Sequence, residues 1–229
     1  MVIPIYNDFD SLQVLISQIE ECNSNIVSFL IVDNGSTDVR IWERLQESRQ
    51  NWSAVRTETN LGFGGGVKFG LKSCSNTYLG WMPGNLKIDP RDFCISINSI
   101  SLDKSQFIKY RRVGRSFDFK AKTFISGCLQ SVFMFRNMFD TGGTPTIIDK
   151  GFLTKIIEGP DSFVFESWSL WIARECQMKV LRPKIFYGER IFGSSHWQIG
   201  FKAEAKLMFD ILKSSLRWKK ISKSMFSKI

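Results

Sequence analysis

Apolar positions in the first hundred residues alternate between short continuous runs and stretches with a helical period. Val2-Ile-Pro-Ile-Tyr6 predicts a strand, and from Asp8 to Cys22 the residues Leu12, Leu15, Ile16 and Ile19 share one helical face, with Asp8 or Asp10 as the cap. Ile26 to Val32 is an almost unbroken apolar run that stops in Asp33-Asn-Gly-Ser-Thr-Asp38, which predicts a buried strand ending in a polar loop. Asp38 then opens a helix through Leu45. Ala54-Val-Arg-Thr57 predicts a third strand, Asn60 to Gly66 a glycine-rich turn, Val67 to Cys74 a helix and Tyr78 to Met82 a fourth strand. This repeated order predicts an α/β fold around a mostly parallel sheet with right-handed crossovers. Ligands of such sheets bind beyond the carboxyl ends of the strands, here Tyr6 to Asp8, Asp33 to Asp38, Asn60 to Gly66 and Pro83 to Asp89.

After residue 100 the pattern loosens. A basic segment, Lys109-Tyr-Arg-Arg-Val-Gly-Arg115, precedes an aromatic-rich helix predicted from Thr123 to Phe139 and a Gly-Gly-Thr-Pro turn at 142–145. Lys202 to Ile229 reads as helical, and its basic amphipathic end carries Trp218 and Phe226 beside six lysines and arginines. No linker or repeat divides the chain. It reads as one domain with a nucleotide-binding half (1–100), an acceptor-binding half (101–200) and a C-terminal helical tail (201–229).

The 229 residues are 43% hydrophobic, enough for a sizeable core, and the net charge of +9 predicts a partner that carries phosphate. No apolar run approaches the ~20 residues of a spanning helix. The start of the chain lacks the pattern of a secretory signal, so the expected address is cytoplasmic. Five scattered cysteines without a Cys-x-x-Cys pair suggest buried thiols rather than zinc or disulfides.

Among the loops, Asp33 stands at a strand end where a carboxylate can accept from a ribose or base, although the same residue types make ordinary capped turns. Gly62-Phe-Gly-Gly-Gly66 lets backbone approach a phosphate or a neighbouring strand, with Lys68 as a nearby charge, but matches neither the phosphate loop nor the full dinucleotide fingerprint. Taken together, Val2 to Asp8, Ile31 to Asp38, Asn60 to Gly70, Trp81-Met-Pro-Gly-Asn-Leu-Lys-Ile-Asp-Pro90 and Tyr187-Gly-Glu-Arg-Ile-Phe-Gly-Ser-Ser-His-Trp197 resemble the family 2 glycosyltransferases of GT-A fold. The branch that looks most similar contains dolichyl-phosphate mannose synthase and polyprenyl-phosphate sugar transferases.

The resemblance implies a Rossmann-like sheet flanked by helices and an inverting transfer from a UDP- or GDP-linked sugar. The acceptor would be a polyprenyl phosphate or another lipid-linked acceptor, in polysaccharide or glycoconjugate assembly. It places Pro4, Tyr6, Asp8, Asp33, Gly64, Lys68 and Gly84 around the nucleotide, with Asp8 where the family usually has Glu and Asn34 where many relatives have a second Asp. It places Ser194 and His196 toward the acceptor; the histidine also has a structural reading. The family's metal-binding Asp-x-Asp falls on Pro83-Gly84-Asn85, which weakens the expectation of Mg2+ or Mn2+ because Asn offers one neutral oxygen where a divalent ion prefers anionic ones. Three readings follow: Asn85 still ligates an ion held mainly by the diphosphate, Lys and Arg replace its charge, or catalysis is lost.

Arg190 and Arg112 are the catalytic candidates with Asn85, because guanidinium groups can stabilise a leaving diphosphate as a metal does. Arg111 and Arg115 share the basic segment, and Asp140 loosely matches an Asp of the lipid-phosphate branch. A phosphate acceptor is already anionic and needs no strong base; Asp161 and Glu166 are the base candidates if the acceptor is instead a sugar hydroxyl of a growing polysaccharide. The basic tail is expected to hold the protein peripherally on an anionic membrane surface. No nucleic-acid-binding motif accompanies the charge.

Overall fold

A computed structural model describes residues 1–22, 24–47, 51–192, 209–211, 213, 214 and 218. The chain runs β1 (Val2–Ile5), α1 (Phe9–Glu20), β2 (Phe29–Asp33), α2 (Val39–Leu45), β3 (Trp52–Arg56), α3 (Gly62–Lys72), β4 (Tyr78–Trp81) and α4 (Pro90–Ile97). It continues with β5 (Gln106–Lys109), β6 (Arg111–Val113), α5 (Phe117–Met134), β7 (Thr146–Asp149), α6 (Leu153–Ile156), α7 (Phe165–Glu175), β8 (Lys179–Leu181) and β9 (Lys184–Phe186). Seven strands form one sheet in the order β3-β2-β1-β4-β7-β5-β8, all parallel except β7, while β6 and β9 pair separately.

Alternate residues of β1 enter opposite layers, as a strand buried on both faces requires. Val2 joins Val32, Trp81, Val67 and the α7 tryptophans, and Ile3 and Ile5 join Leu12, Ile16, Phe93 and Ile97. Helix α3 lies close on the sheet because Gly70 faces it: a Cβ there would stand 2.4 Å from Val2 Cγ1.

The β-α alternation of the sequence is present, with three shifts. Strand β2 starts at Phe29, and Ile26 is exposed. The glycines assigned to a turn lie inside α3, where close packing on 160–165 and the sheet overrides their poor helix propensity. Helix α5 starts six residues before the predicted Thr123 and ends at Met134, Phe135 adopting the left-handed conformation at φ 52°. Residues 202–208 and most of 212–229 of the predicted tail lie outside the described residues. Trp218 is among those described and is buried, its ring 5.4 Å from Trp168 and 5.6 Å from Trp171, so it serves the core rather than a membrane face. No described helix is long and apolar enough to cross a membrane.

Candidate functional site

The carboxyl ends of β1, β2, β3 and β4 form one edge, and the reversed β7 brings the start of its own strand to that edge, with Trp81 opposite Thr146. The chain from Asp140 to Pro145 therefore arrives beside the loops that follow β1 and β4. A cavity of about 310 Å³ lined by Ser105, Asp149, Phe152 and Lys155 lies at the amino end of the parallel strands, away from this edge.

The loops after β1 and β2 are held by short side-chain bonds. Asn7, in the left-handed conformation at φ 47°, accepts at Oδ1 from the amides of Thr37 (2.9 Å) and Asp38 (3.2 Å), and its own amide donates to Ser36 Oγ (3.0 Å). Asp33 is fully buried; its Oδ1 accepts from the Ser36 amide at 2.9 Å, and its Oδ2 faces Arg56 Nε at 3.2 Å without hydrogen-bond geometry. Asp33 Oδ2 is thus a buried carboxylate oxygen without a hydrogen-bond donor among the described residues. Asn34 accepts from the Leu61 amide (3.2 Å) and donates through Nδ2 to Gly62 O (3.0 Å) and Asn60 Oδ1 (3.2 Å). An aspartate has no donor for Gly62, which accounts for the amide at this position.

Pro4 sits half-buried in β1 opposite Val32, and Tyr6 is exposed on the loop after it. Asp8 occupies the N-cap position of α1 yet makes no capping bond; its carboxylate meets Arg190 Nη2 at 2.5 Å, across 182 residues of chain. Asp38 and Asp89 do cap their helices, accepting from the amides of Arg40 and Arg91.

Three residues expected at the nucleotide also pack or pair within the fold. Lys68 donates to Gly159 O at 2.7 Å and pairs with Asp161 at 2.6 Å, tying α3 to the 159–161 loop. Gly64 admits that same loop, since a Cβ would lie 2.4 Å from Pro160 O. Gly84 is buried against Ile5, whose Cδ1 would stand 2.2 Å from an added Cβ.

Cations concentrate on the other side. Asp140 accepts from Arg112 Nε at 3.0 Å and also binds its Nη2, with Arg182 Nη2 at 3.5 Å and Arg115 Nη1 at 3.9 Å. Burial opposes the Asp140 carboxylate, but the Arg112 and Arg182 guanidiniums outweigh it and hold its pKa below the usual range. Lys87 and Arg112 both lie over the Tyr187 ring, at 5.6 and 5.3 Å, and the Gly188 amide donates to Lys87 O. Burial and then the charges of Arg190, Arg112 and Arg115 push the Lys87 ammonium below the ordinary lysine range. Arg112, Arg115 and Arg190 keep between 13% and 22% of their side chains exposed, enough to meet an entering anion.

Asn85 Oδ1 accepts from the Lys87 amide at 3.3 Å, and the next acid, Asp89, has both oxygens on Arg91. Among the described residues no group of three or more His, Cys, Asp or Glu is arranged to hold a metal ion. This donor set does not fit a divalent cation held by protein carboxylates. The base candidates are also committed: Glu166 is buried, with Oε1 on Trp81 Nε1 (3.0 Å) and Oε2 on Lys109, and Asp161 pairs with Lys68. Ser194 and His196 lie outside the described residues. Asn7, Lys87, Arg182 and Tyr187 were not singled out by the sequence; only the positive φ of Asn7 and the long-range pairs expose them.

The family model for glycosyl transferase family 2 matches residues 1–152. Glucosyl-3-phosphoglycerate synthase from Mycobacterium tuberculosis has a similar fold. Its complex with Mn2+, UDP and glucosyl-3-phosphoglycerate gives a TM-score of 0.68 at 14% identity, covering 94% of this chain and 77% of that one. Its complex with phosphoglyceric acid gives 0.69 at 15% identity, covering 93% and 78%. A comparison with curated proteins finds no match. With the matched family model spanning the strands and loops that build this edge, the chain belongs to glycosyl transferase family 2 and is a glycosyltransferase acting on nucleotide-sugar donors.

Proposed function

We propose that the chain transfers a sugar, with inversion, from a UDP- or GDP-linked donor to the phosphate oxygen of a polyprenyl-phosphate or related lipid-linked acceptor at the cytoplasmic face of a membrane. The setting is polysaccharide or glycoconjugate assembly, as in the dolichyl-phosphate mannose synthase branch. The observation that carries this reading is the cation cluster of Lys87, Arg112, Arg115, Arg182 and Arg190 at the sheet edge, beside a site whose candidate bases are already paired.

In this reading residues 1–100 bind the donor and 101–200 the acceptor. Asp33, fixed by Ser36 and Arg56, accepts from the base or ribose, and Asn34 and Asn7 hold the surrounding loops. An anionic phosphate oxygen attacks the anomeric carbon as the bond to the diphosphate breaks and its electron pair leaves on the diphosphate. Guanidiniums beside that leaving group stabilise the growing charge without a proton transfer. Arg190, released from Asp8, and Arg112, oriented by Asp140, are the groups placed for this.

Phosphoglyceric acid in the glucosyl-3-phosphoglycerate synthase structures favours a second reading, a small soluble acceptor that carries phosphate. Purified protein with radiolabelled UDP-glucose or GDP-mannose is offered polyprenyl phosphate or phosphoglyceric acid, each with and without EDTA. The proposal expects label in the organic phase with polyprenyl phosphate, retained in EDTA. Transfer only to phosphoglyceric acid overturns the lipid acceptor, and loss in EDTA overturns charge stabilisation by side chains alone. No transfer to either acceptor overturns a phosphate nucleophile.

A further inference from the structure

Helix α5 is built inside out. Its buried positions are Gly127, Gln130 and Met134, while Phe117 (82% exposed), Phe124, Ile125, Val132, Phe133 and the following Phe135 (74%) face outward. The inward face is partly bonded within itself: Gln130 Nε2 donates to Ser126 Oγ at 2.8 Å, Ser131 Oγ donates to Gly127 O at 2.6 Å, and the Met138 amide donates to Ser131 Oγ at 2.9 Å, while Gln130 Oε1 is buried without a hydrogen bond among the described residues. The outward residues recur at the 7, 8 and 1 spacings that keep them on one side of an 18-residue helix. Phe139 extends the patch by packing on Phe124, the rings tilted by 31° with centroids 5.5 Å apart. An apolar face of this extent on a charged protein marks a contact surface.

Charge selects the occupant. Lys120 and Lys122 are exposed on α5, with Asp118 as the acid of its first turn, and the chain carries +9. A second copy laid on this face would bring like charges together, whereas anionic lipid attracts them. Charged residues in its first two turns keep α5 from crossing a bilayer, so it suits lying in the interface plane. The helix is also continuous with the site: Arg115 precedes it, donates through Nη2 to Phe119 O at 3.1 Å and lies over the Phe119 ring.

We propose that the outward face of α5 is a membrane-docking surface that inserts its aromatic and aliphatic side chains into an anionic bilayer and sets the arginine cluster against the lipid headgroups. This moves the membrane contact from the basic tail to a helix fixed to the acceptor side. It deepens the preceding reading and rests on it for the meaning of the docking, while the docking itself is measured without nucleotide or acceptor. Failed docking with intact transfer to polyprenyl phosphate, or the converse, tells the two apart.

The test is flotation of the full chain with phosphatidylcholine vesicles, with and without phosphatidylglycerol, beside sedimentation velocity. Wild type is expected to float with the phosphatidylglycerol vesicles, and Phe124→Ser/Ile125→Ser/Phe133→Ser to lose about tenfold in bound fraction. The charge reversal Lys120→Glu/Lys122→Glu should weaken binding to the anionic vesicles alone, and it leaves the apolar face untouched. Unchanged affinity for UDP in both variants would show that the effect belongs to the surface. Wild-type flotation in both variants overturns the proposal, as does a wild-type dimer that the serine variant converts to monomer.

Discussion

Two ion-paired cations stand three residues apart on the chain and do opposite work. Lys109 ends β5, is fully buried, and meets Glu166 beneath Trp81; Arg112, in β6, meets Asp140 at the open edge of the sheet. Burial pushes the Lys109 ammonium below its usual range, with Glu166 opposing, and nothing that enters from solvent can reach it. The first pair is sealed, whereas the second keeps 14% and 15% of its side chains exposed and is surrounded by further cations. The break between β5 and β6 at Tyr110 sends these neighbouring cations to different places.

The sharpest way to break this contrast is to remove the sealed cation and, separately, one cation of the cluster at the open edge, Arg190. Lys109→Met strands the Glu166 carboxylate and should cost about 3–5 kcal/mol in denaturant unfolding. Arg190→Ala should lower kcat/KM about 100-fold while the unfolding midpoint stays nearly unchanged, and Arg190→Lys should recover only part, because a point charge replaces a fork. Equal losses of stability from Lys109→Met and Arg190→Ala would erase the distinction.

A subtler probe uses acid. Because the folded pKa of Asp140 is depressed, the unfolded chain takes up this proton first as pH falls. The stability contributed by the carboxylate is therefore complete above about pH 4 and is lost as pH falls through its lower folded value. Asp140→Asn should flatten the acid limb of a stability-against-pH curve, whereas an unchanged slope would mean that the three arginines do not depend on this carboxylate. The smallest effect is expected from Asn34→Asp, about 1 kcal/mol from the lost donor to Gly62 O, read by thermal unfolding.

Much of the sheet was legible because β1 and β2 are almost wholly buried and so read as continuous apolar runs. The glycines before Val67 misled because their freedom in a turn and their smallness in a helix leave the same letters, and only the 159–165 segment packed on them decides. Lys68 reads as a charge beside a glycine cluster, but its partners lie some ninety residues on. The Asp8–Arg190 and Arg112–Asp140 pairs join distant parts of the chain, so no local pattern announces them. Helix α5 was placed late because most of its hydrophobic residues face out and only Gly127, Gln130 and Met134 are buried, so no apolar period marks its inner face.

The packing of Trp218 on Trp168 and Trp171 carries an optical consequence. Indoles held 5.4–5.6 Å apart in a fixed, chiral arrangement couple their transitions and give the near-ultraviolet circular dichroism a signature of their own. Trp218→Phe would remove one member of that trio, so the difference spectrum against wild type reports whether Trp218 is seated on α7 in any buffer, vesicle suspension or substrate mixture.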